Sequence, residues 1–182
     1  LLKIIKKKPI SFEVTADEPS KIYYQAKEIS SWGNNVYVKI PIVDSKGKSN
    51  ISIIRKLYLE KVKLNVTAVF TKKQISQLLR SLKTQNVKMI ISIFSGRIAD
   101  TGKDPNPTIK FAIKKRKTKK IKILWASARE IYNLYEADKC NCDIITLTDD
   151  LINKINLKNK NLNRYSQETS KNFFDDAKLI RF

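Results

Sequence analysis

The chain has 182 residues, 42% of them hydrophobic and 30% charged, a balance that suits one globular core. It has no histidine, only two cysteines (Cys140 and Cys142), and no apolar run long enough for a helical membrane span. Histidine catalysis, a zinc knuckle and a membrane helix therefore fall away, and a reduced, cytoplasmic protein is expected. The net charge of +20 raises nucleic acid as a partner, but lysine is spread along the chain and only "KKRKTKK" (114–120) is dense; that run reads as solvated surface, so no nucleic-acid partner is expected.

"ISFEV" (10–14) reads as the first strand. Asp17 as a cap, Pro19 in the first turn, the stripe Ile22, Ala26, Ile29 and a stop at Gly33 predict a helix after it. "VYVKI" (36–40) is the second strand, ended by Pro41, and it raises a question. An unpaired ammonium is costly to bury, so Lys39 needs a reason to stand in an apolar strand. "LNVTAV" (64–69) follows, with Thr71 and Gln74 as a capping box ahead of Ile75, Leu78, Leu79 and Leu82. "MIISIF" (89–94) and "IKILWA" (121–126) are further strands. Ser127 and Glu130 repeat the box before Ile131, Leu134 and Tyr135. "DIITL" (143–147) is the sixth strand; Thr148 then caps a helix through Ile155, and Ser166 another through Ile180.

Strand followed by helix, repeated along the chain, predicts parallel strands with helical crossovers. An open doubly wound sheet and a (β/α)8 barrel both satisfy that pattern. No glycine-rich phosphate loop follows any strand, which weakens a nucleotide-binding sheet. Side-chain parity favours the barrel. One parity presents Ser11 and Glu13, Tyr37 and Lys39, Asn65 and Thr67, then Ser92 and Phe94; in the fifth strand Ile123, Trp125 and Ser127 are taken as inward. Polar residues recur on one side near the C-terminal strand ends, where barrel enzymes place their chemistry.

The segments "SFEV", "NVYVKIP", "LNVTAVFT", "ISIFSGRIADTGKDP", "ASARE" and "CDIITLTDDL" resemble, in family order, the transaldolase family, specifically the small transaldolases related to fructose-6-phosphate aldolase. The resemblance covers about residues 9 to 182. It implies a (β/α)8 TIM barrel of the class I aldolase type, with about six βα units in this chain. The implied activity is transfer of a dihydroxyacetone unit between sugar phosphates through a lysine Schiff base, in the pentose phosphate pathway. The implied partners are fructose 6-phosphate, sedoheptulose 7-phosphate, erythrose 4-phosphate and glyceraldehyde 3-phosphate. No cofactor and no metal are implied, and the complete protein is expected to be a homo-oligomer.

The resemblance also answers the question of Lys39, which matches the Schiff-base lysine. Apolar walls favour a neutral amine, the nucleophilic form, and the iminium it yields is an electron sink for carbon–carbon cleavage. Glu13 and Thr67 match the pair that positions the water of Schiff-base formation and hydrolysis. Asn65 matches an asparagine that binds the donor's hydroxyls. Ser92 and Arg97, with Ser127 and Arg129, match the residues that hold the sugar phosphate; guanidinium forks suit that task. Phe94 stands where the aldolase relatives have a tyrosine, and Glu13 where they have a glutamine.

"ISIFSGR" departs mildly from the family's usual "SPFVGR", with Ile93 and Ser95 as the changes. A larger departure is the absence of the family's first-strand aspartate and its "TTNPS" turn. "ISFEV" resembles the third strand, so residues 1–182 are expected to form a single barrel domain lacking the first strand, first helix and second strand. Transaldolase is thus the leading function. A fructose-6-phosphate aldolase-like lyase, a basic nucleic-acid-binding protein and an inactive fragment are the alternatives.

Overall fold

The computed structural model describes residues 1–82 and 87–180. The chain divides into two units, Leu1–Leu147 and Thr148–Phe182. In the first, the apolar segments form six strands: β1 (Ile10–Glu13), β2 (Val36–Pro41), β3 (Leu64–Val69), β4 (Met89–Ile93), β5 (Ile121–Trp125) and β6 (Ile144–Ile145). Each pairs in parallel with the next, in the order β1-β2-β3-β4-β5-β6. Between them run α1 (Pro19–Ser31), α2 (Ile51–Leu59), α3 (Lys72–Ser81), α4 (Ser95–Ala99) with α5 (Asn106–Lys115), and α6 (Tyr132–Lys139). Sequential parallel strands with right-handed crossovers put the helices on one face of the sheet. This is an α/β half-barrel, a partial TIM-barrel-like fold, as the recurring strand–helix pattern predicts.

Both faces of the central strands carry apolar side chains, as buried parallel strands do. The helix-facing set includes Val36, Val38, Ile40, Leu64, Val66, Met89, Ile91, Ile93, Ile123 and Trp125, all buried. On the opposite face Tyr37, Ile90, Leu124 and Ala126 form a second, smaller cluster, with Phe94 and Ile144 packed against it. On β5, then, Leu124 and Ala126 face inward, not Ile123 and Trp125. The register decides it: Leu124 lies opposite Ser92, and Trp125 opposite Ile93. Side chains at paired positions of a parallel sheet share a face.

Helix starts follow local chemistry only in part. The Thr71–Gln74 capping box forms reciprocally, with Gln74 N–H donating to Thr71 Oγ1 at 3.1 Å and Thr71 N–H donating to Gln74 Oε1 at 3.0 Å. The α1 stripe of Ile22, Ala26 and Ile29 is buried as expected. Asp17 does not cap α1; the N-cap is Glu18, and the Asp17 carboxylate instead accepts from Ser45 N–H and Oγ at 2.8 and 2.6 Å.

In the second unit Thr148 caps α7 (Asp149–Lys154), accepting from Leu151 N–H, and a 3-10 turn spans Ile155–Leu157. The last helix, α8 (Leu162–Ala177), starts earlier than Ser166 because the Asn161 side chain accepts from Arg164 N–H at 3.1 Å. It also ends before Ile180. No helix among the described residues is long and apolar enough to cross a membrane.

The basic run of 114–120 is only partly a solvated face. Arg116 pairs with Asp143 and donates to Ile121 C=O, and Lys117 donates to Leu82 C=O at 3.1 Å. Asp143 also accepts from Ile123 N–H at 2.8 Å and from Lys122 Nζ at 3.1 Å, so its side chain extends the β5–β6 ladder. Burial pushes the Asp143 carboxyl up, but the Ile123 N–H, Lys122 and the Arg116 charge outweigh it and hold the carboxyl below the usual carboxylate range. A depressed folded value means that its contribution is full above the unfolded value of about 3.9 and is lost as pH falls through the folded one. Asp143→Asn should therefore cost about 2–4 kcal/mol at pH 7 by denaturant unfolding. The gap between variant and parent should narrow below about pH 4. A gap that is constant with pH would contradict this account.

Candidate functional site

Register, not proximity in sequence, assembles the site. Glu13 lies opposite Lys39, and Lys39 opposite Asn65, so all three stand on one rung of the face that the helices leave open. Lys39 Nζ donates to Glu13 Oε2 at 3.0 Å. The Lys39 side chain is 30% exposed and that of Glu13 46%. A pair this open adds little stability, about 0.2–1 kcal/mol, so its position calls for another explanation.

Asn65 is buried and uses both ends of its amide. Its Oδ1 accepts from Ser92 Oγ at 2.7 Å, and its Nδ2 donates to Ser11 Oγ at 3.1 Å. Ser11 lies on β1 and Asn65 on β3, so the bond crosses β2. Strands two apart stand roughly 10 Å apart in a flat sheet; the contact requires this face to be concave. The concavity is an open cavity of about 760 Å³ whose lining includes Lys39, Asn65, Thr67, Ser92, Phe94 and Ser127. Thr67 Oγ1 is buried there with no hydrogen-bond partner. An orphaned buried hydroxyl on a cavity wall is where a water or substrate oxygen would be held.

A bulge shapes this wall. The register of β3 with β4 shifts between Val66 and Val69, and Ala68 has φ of 53°. Ala68 is the extra residue, so Val69 returns to the buried helix side opposite Ile93 and does not fill the cavity. A left-handed alanine costs about 1–2 kcal/mol, strain of the kind found beside functional sites. Phe70, just beyond, packs on Phe94 with ring centroids 5.6 Å apart.

The rim depends on Gly96. A Cβ there would stand 1.6 Å from Ser127 carbonyl oxygen, a backbone atom, and 3.2 Å from Arg129 Cγ. That contact joins α4 to the end of β5 and brings the segments of Arg97 and Arg129 together. Ser127 does not cap α6. Its φ of 59° is left-handed, whereas an N-cap is extended; Asn133 Oδ1 takes the Arg129 and Glu130 N–H groups instead, at 2.8 and 3.3 Å.

Neither arginine lines the cavity. Arg97 is exposed, with its guanidinium carbon 5.3 Å from the Phe94 ring centroid. Arg129 is half-exposed and grips Asp100 through Nε and Nη2.

Lys39, Asn65, Thr67, Ser92, Phe94 and Ser127 thus line one concavity, Glu13 joins them through its pair with Lys39, and Arg97 and Arg129 stand apart from its lining. Sequence reasoning missed Ser11 as Asn65's partner, although its parity pointed inward. It also missed Asp100, for which no local signal existed. Burial pushes the Cys142 thiol up to about 11 and raises Cys140 too, so neither is a ready nucleophile. Burial also raises the Tyr37 phenol, which stays neutral in its cluster with Ile90, Leu124 and Ala126. Among the described residues no group of three or more acidic, cysteine or histidine side chains could hold a metal.

The family described as Transaldolase/Fructose-6-phosphate aldolase matches residues 1–181. "Probable transaldolase 2" of Listeria monocytogenes serovar 1/2a is 34% identical over 149 residues, covering 81% of this chain and 64% of that protein. "Probable transaldolase" of Nitrosopumilus maritimus is 30% identical over 158 residues, covering 85% and 67%. "Probable transaldolase" of Streptococcus agalactiae serotype V is 32% identical over 149 residues, covering 78% and 62%. This chain thus spans 64% of the length of the Listeria relative. A solved structure described as "Native KDPGal structure" aligns at a TM-score of 0.29 and 14% identity over 78% of this chain and 82% of that one, too weakly to bear on the fold.

Gly96→Ala should cost about 3 kcal/mol by thermal or denaturant unfolding, the upper end of overpacking, because the opposing atom is backbone and cannot rotate away. Unchanged stability would mean that the α4–β5 contact does not hold the rim.

Proposed function

The chain belongs to the transaldolase/fructose-6-phosphate aldolase family, and from that premise we propose that it serves a transaldolase. The reaction is transfer of a dihydroxyacetone unit from fructose 6-phosphate or sedoheptulose 7-phosphate to erythrose 4-phosphate or glyceraldehyde 3-phosphate. The observation that carries this reading is the Lys39 amine, 3.0 Å from the Glu13 carboxylate, on the wall that also holds Asn65 and the unpartnered Thr67 hydroxyl.

Lys39 attacks the donor's C2 carbonyl, giving a carbinolamine. Loss of water leaves the iminium, with Glu13 near enough to take the proton that the ammonium must shed. As a base takes the C4 hydroxyl proton, the task of the family's first-strand aspartate, for which residues 1–182 offer no match, the iminium accepts the electron pair of the breaking C3–C4 bond and the first aldose phosphate departs as an aldehyde. The enamine then attacks the acceptor's aldehyde, and water returns the amine. Thr67 Oγ1 lacks a protein partner, which suits it to hold the water that leaves and later returns. Asn65 offers its amide to the donor's hydroxyls, with Ser11 and Ser92 fixing its orientation. Ser92 and Ser127 on the wall, with Arg97 and Arg129 beyond it, would meet the phosphate. Transfer is favoured over free cleavage because Glu13 and Phe94 are the residues of the transferases in this family, where the aldolases carry glutamine and tyrosine.

Treating the chain with fructose 6-phosphate and borohydride should leave one reduced adduct, mapped to Lys39 by peptide mass spectrometry. Lys39→Ala should abolish it. An adduct on another lysine that persists in Lys39→Ala would refute the assignment.

A further inference from the structure

We propose that Asp100 is a positioning residue that aims the Arg129 guanidinium at a phosphate, an inference that rests on the phosphate-binding reading of Arg129. Arginine has two donor edges, the Nε–Nη2 side and the Nη1–Nη2 end. Asp100 takes the side edge. Arg129 Nε donates to its two carboxylate oxygens at 3.2 and 3.1 Å, and Nη2 donates to Oδ2 at 2.5 Å. Among the described residues Nη1 has no partner, so the end edge stays open to a ligand.

The base of the side chain is fixed as well. Asn133 Oδ1 accepts the Arg129 N–H at 2.8 Å, and Asn133 is itself buried and donates to Glu136 at 2.7 Å. Arg129 Cγ lies against Gly96, 3.2 Å from where a Cβ would stand. Both ends of a flexible side chain are therefore held, and the cost of ordering it is met before a ligand arrives. Ser127, two residues before Arg129, lines the cavity, so the fork springs from the segment that forms that part of the wall.

Two physical effects of Asp100 oppose each other, and they predict opposite results. As a charge it repels phosphate, so its removal would tighten binding. As a tether it orients the fork, so its removal would weaken binding. The two-oxygen grip on Nε and Nη2, together with the fixed base, points to the tether.

The test follows the Arg129 guanidinium signals by NMR while inorganic phosphate is added, with chloride as the ionic-strength control. Phosphate should shift Arg129 in the parent chain. Asp100→Ala should raise the half-saturating phosphate concentration roughly 3- to 10-fold, the range between an exposed pair and a charged hydrogen bond. Asp100→Asn, which keeps an acceptor and loses the charge, should fall between. Unchanged or tighter binding in Asp100→Ala, or no shift of Arg129 by phosphate in the parent, overturns the proposal. Borohydride trapping with dihydroxyacetone, which has no phosphate, should be the same in all three chains; a drop there would mark Asp100 as a general structural support and also overturn it. Failure of trapping in the parent chain, by contrast, counts against the Schiff-base function and leaves the phosphate titration to decide this point alone.

Discussion

The alignment of Glu13, Lys39 and Asn65 across β1, β2 and β3 is the constraint on which the site depends. In a parallel sheet, paired positions share a face and stand about 4.8 Å apart. Helices cover one face of these strands with Val36, Val38, Ile40, Leu64 and Val66. A slip of one residue in β2 would send Lys39 into that dry layer and Val38 or Ile40 into the cavity. The apolar parity of β2 therefore fixes where the amine stands as firmly as any contact the amine makes.

The remaining wall is built by departures from regular structure. Ala68 accepts a left-handed backbone so that Val69 can stay in the helix-facing core, which leaves Thr67 as the last cavity-facing side chain of β3. Ser127 accepts a similar backbone where the β5 segment passes Gly96. Both strained residues lie at C-terminal strand ends. The regular core supplies the stability, and the strain is concentrated where the chain must present polar groups to a ligand.

Much of this was legible in the sequence, and the failures have physical causes. The six strands were visible as Ile- and Val-rich runs, and parity read β1 to β4 correctly because polar residues alternate there. It failed on β5 because "ILWA" is apolar at every position and carries no period of two; only the pairing with Ser92 settles the face. The second capping box failed because the pattern of Ser127 and Glu130 is local, whereas the backbone at Ser127 is left-handed where Gly96 closes on its carbonyl. The Ala68 bulge gave no warning, since alanine is not a residue that seeks positive φ. The Asp100–Arg129 pair joins residues 29 apart and has no short-range signature. Lys39, by contrast, was conspicuous, being the one charge in β2, two residues before the proline that ends it.

The central claim is that the Lys39 rung is the covalent site and the concavity its substrate chamber. A crystal structure of the chain after reduction with borohydride in fructose 6-phosphate tests it most directly. The account predicts continuous density from Lys39 Nζ to the sugar carbon, hydroxyls in reach of Asn65, and an oxygen bonded to Thr67 Oγ1. Covalent density elsewhere on the chain, or a sugar on Lys39 turned out of the concavity with Asn65 and Thr67 untouched, would contradict it.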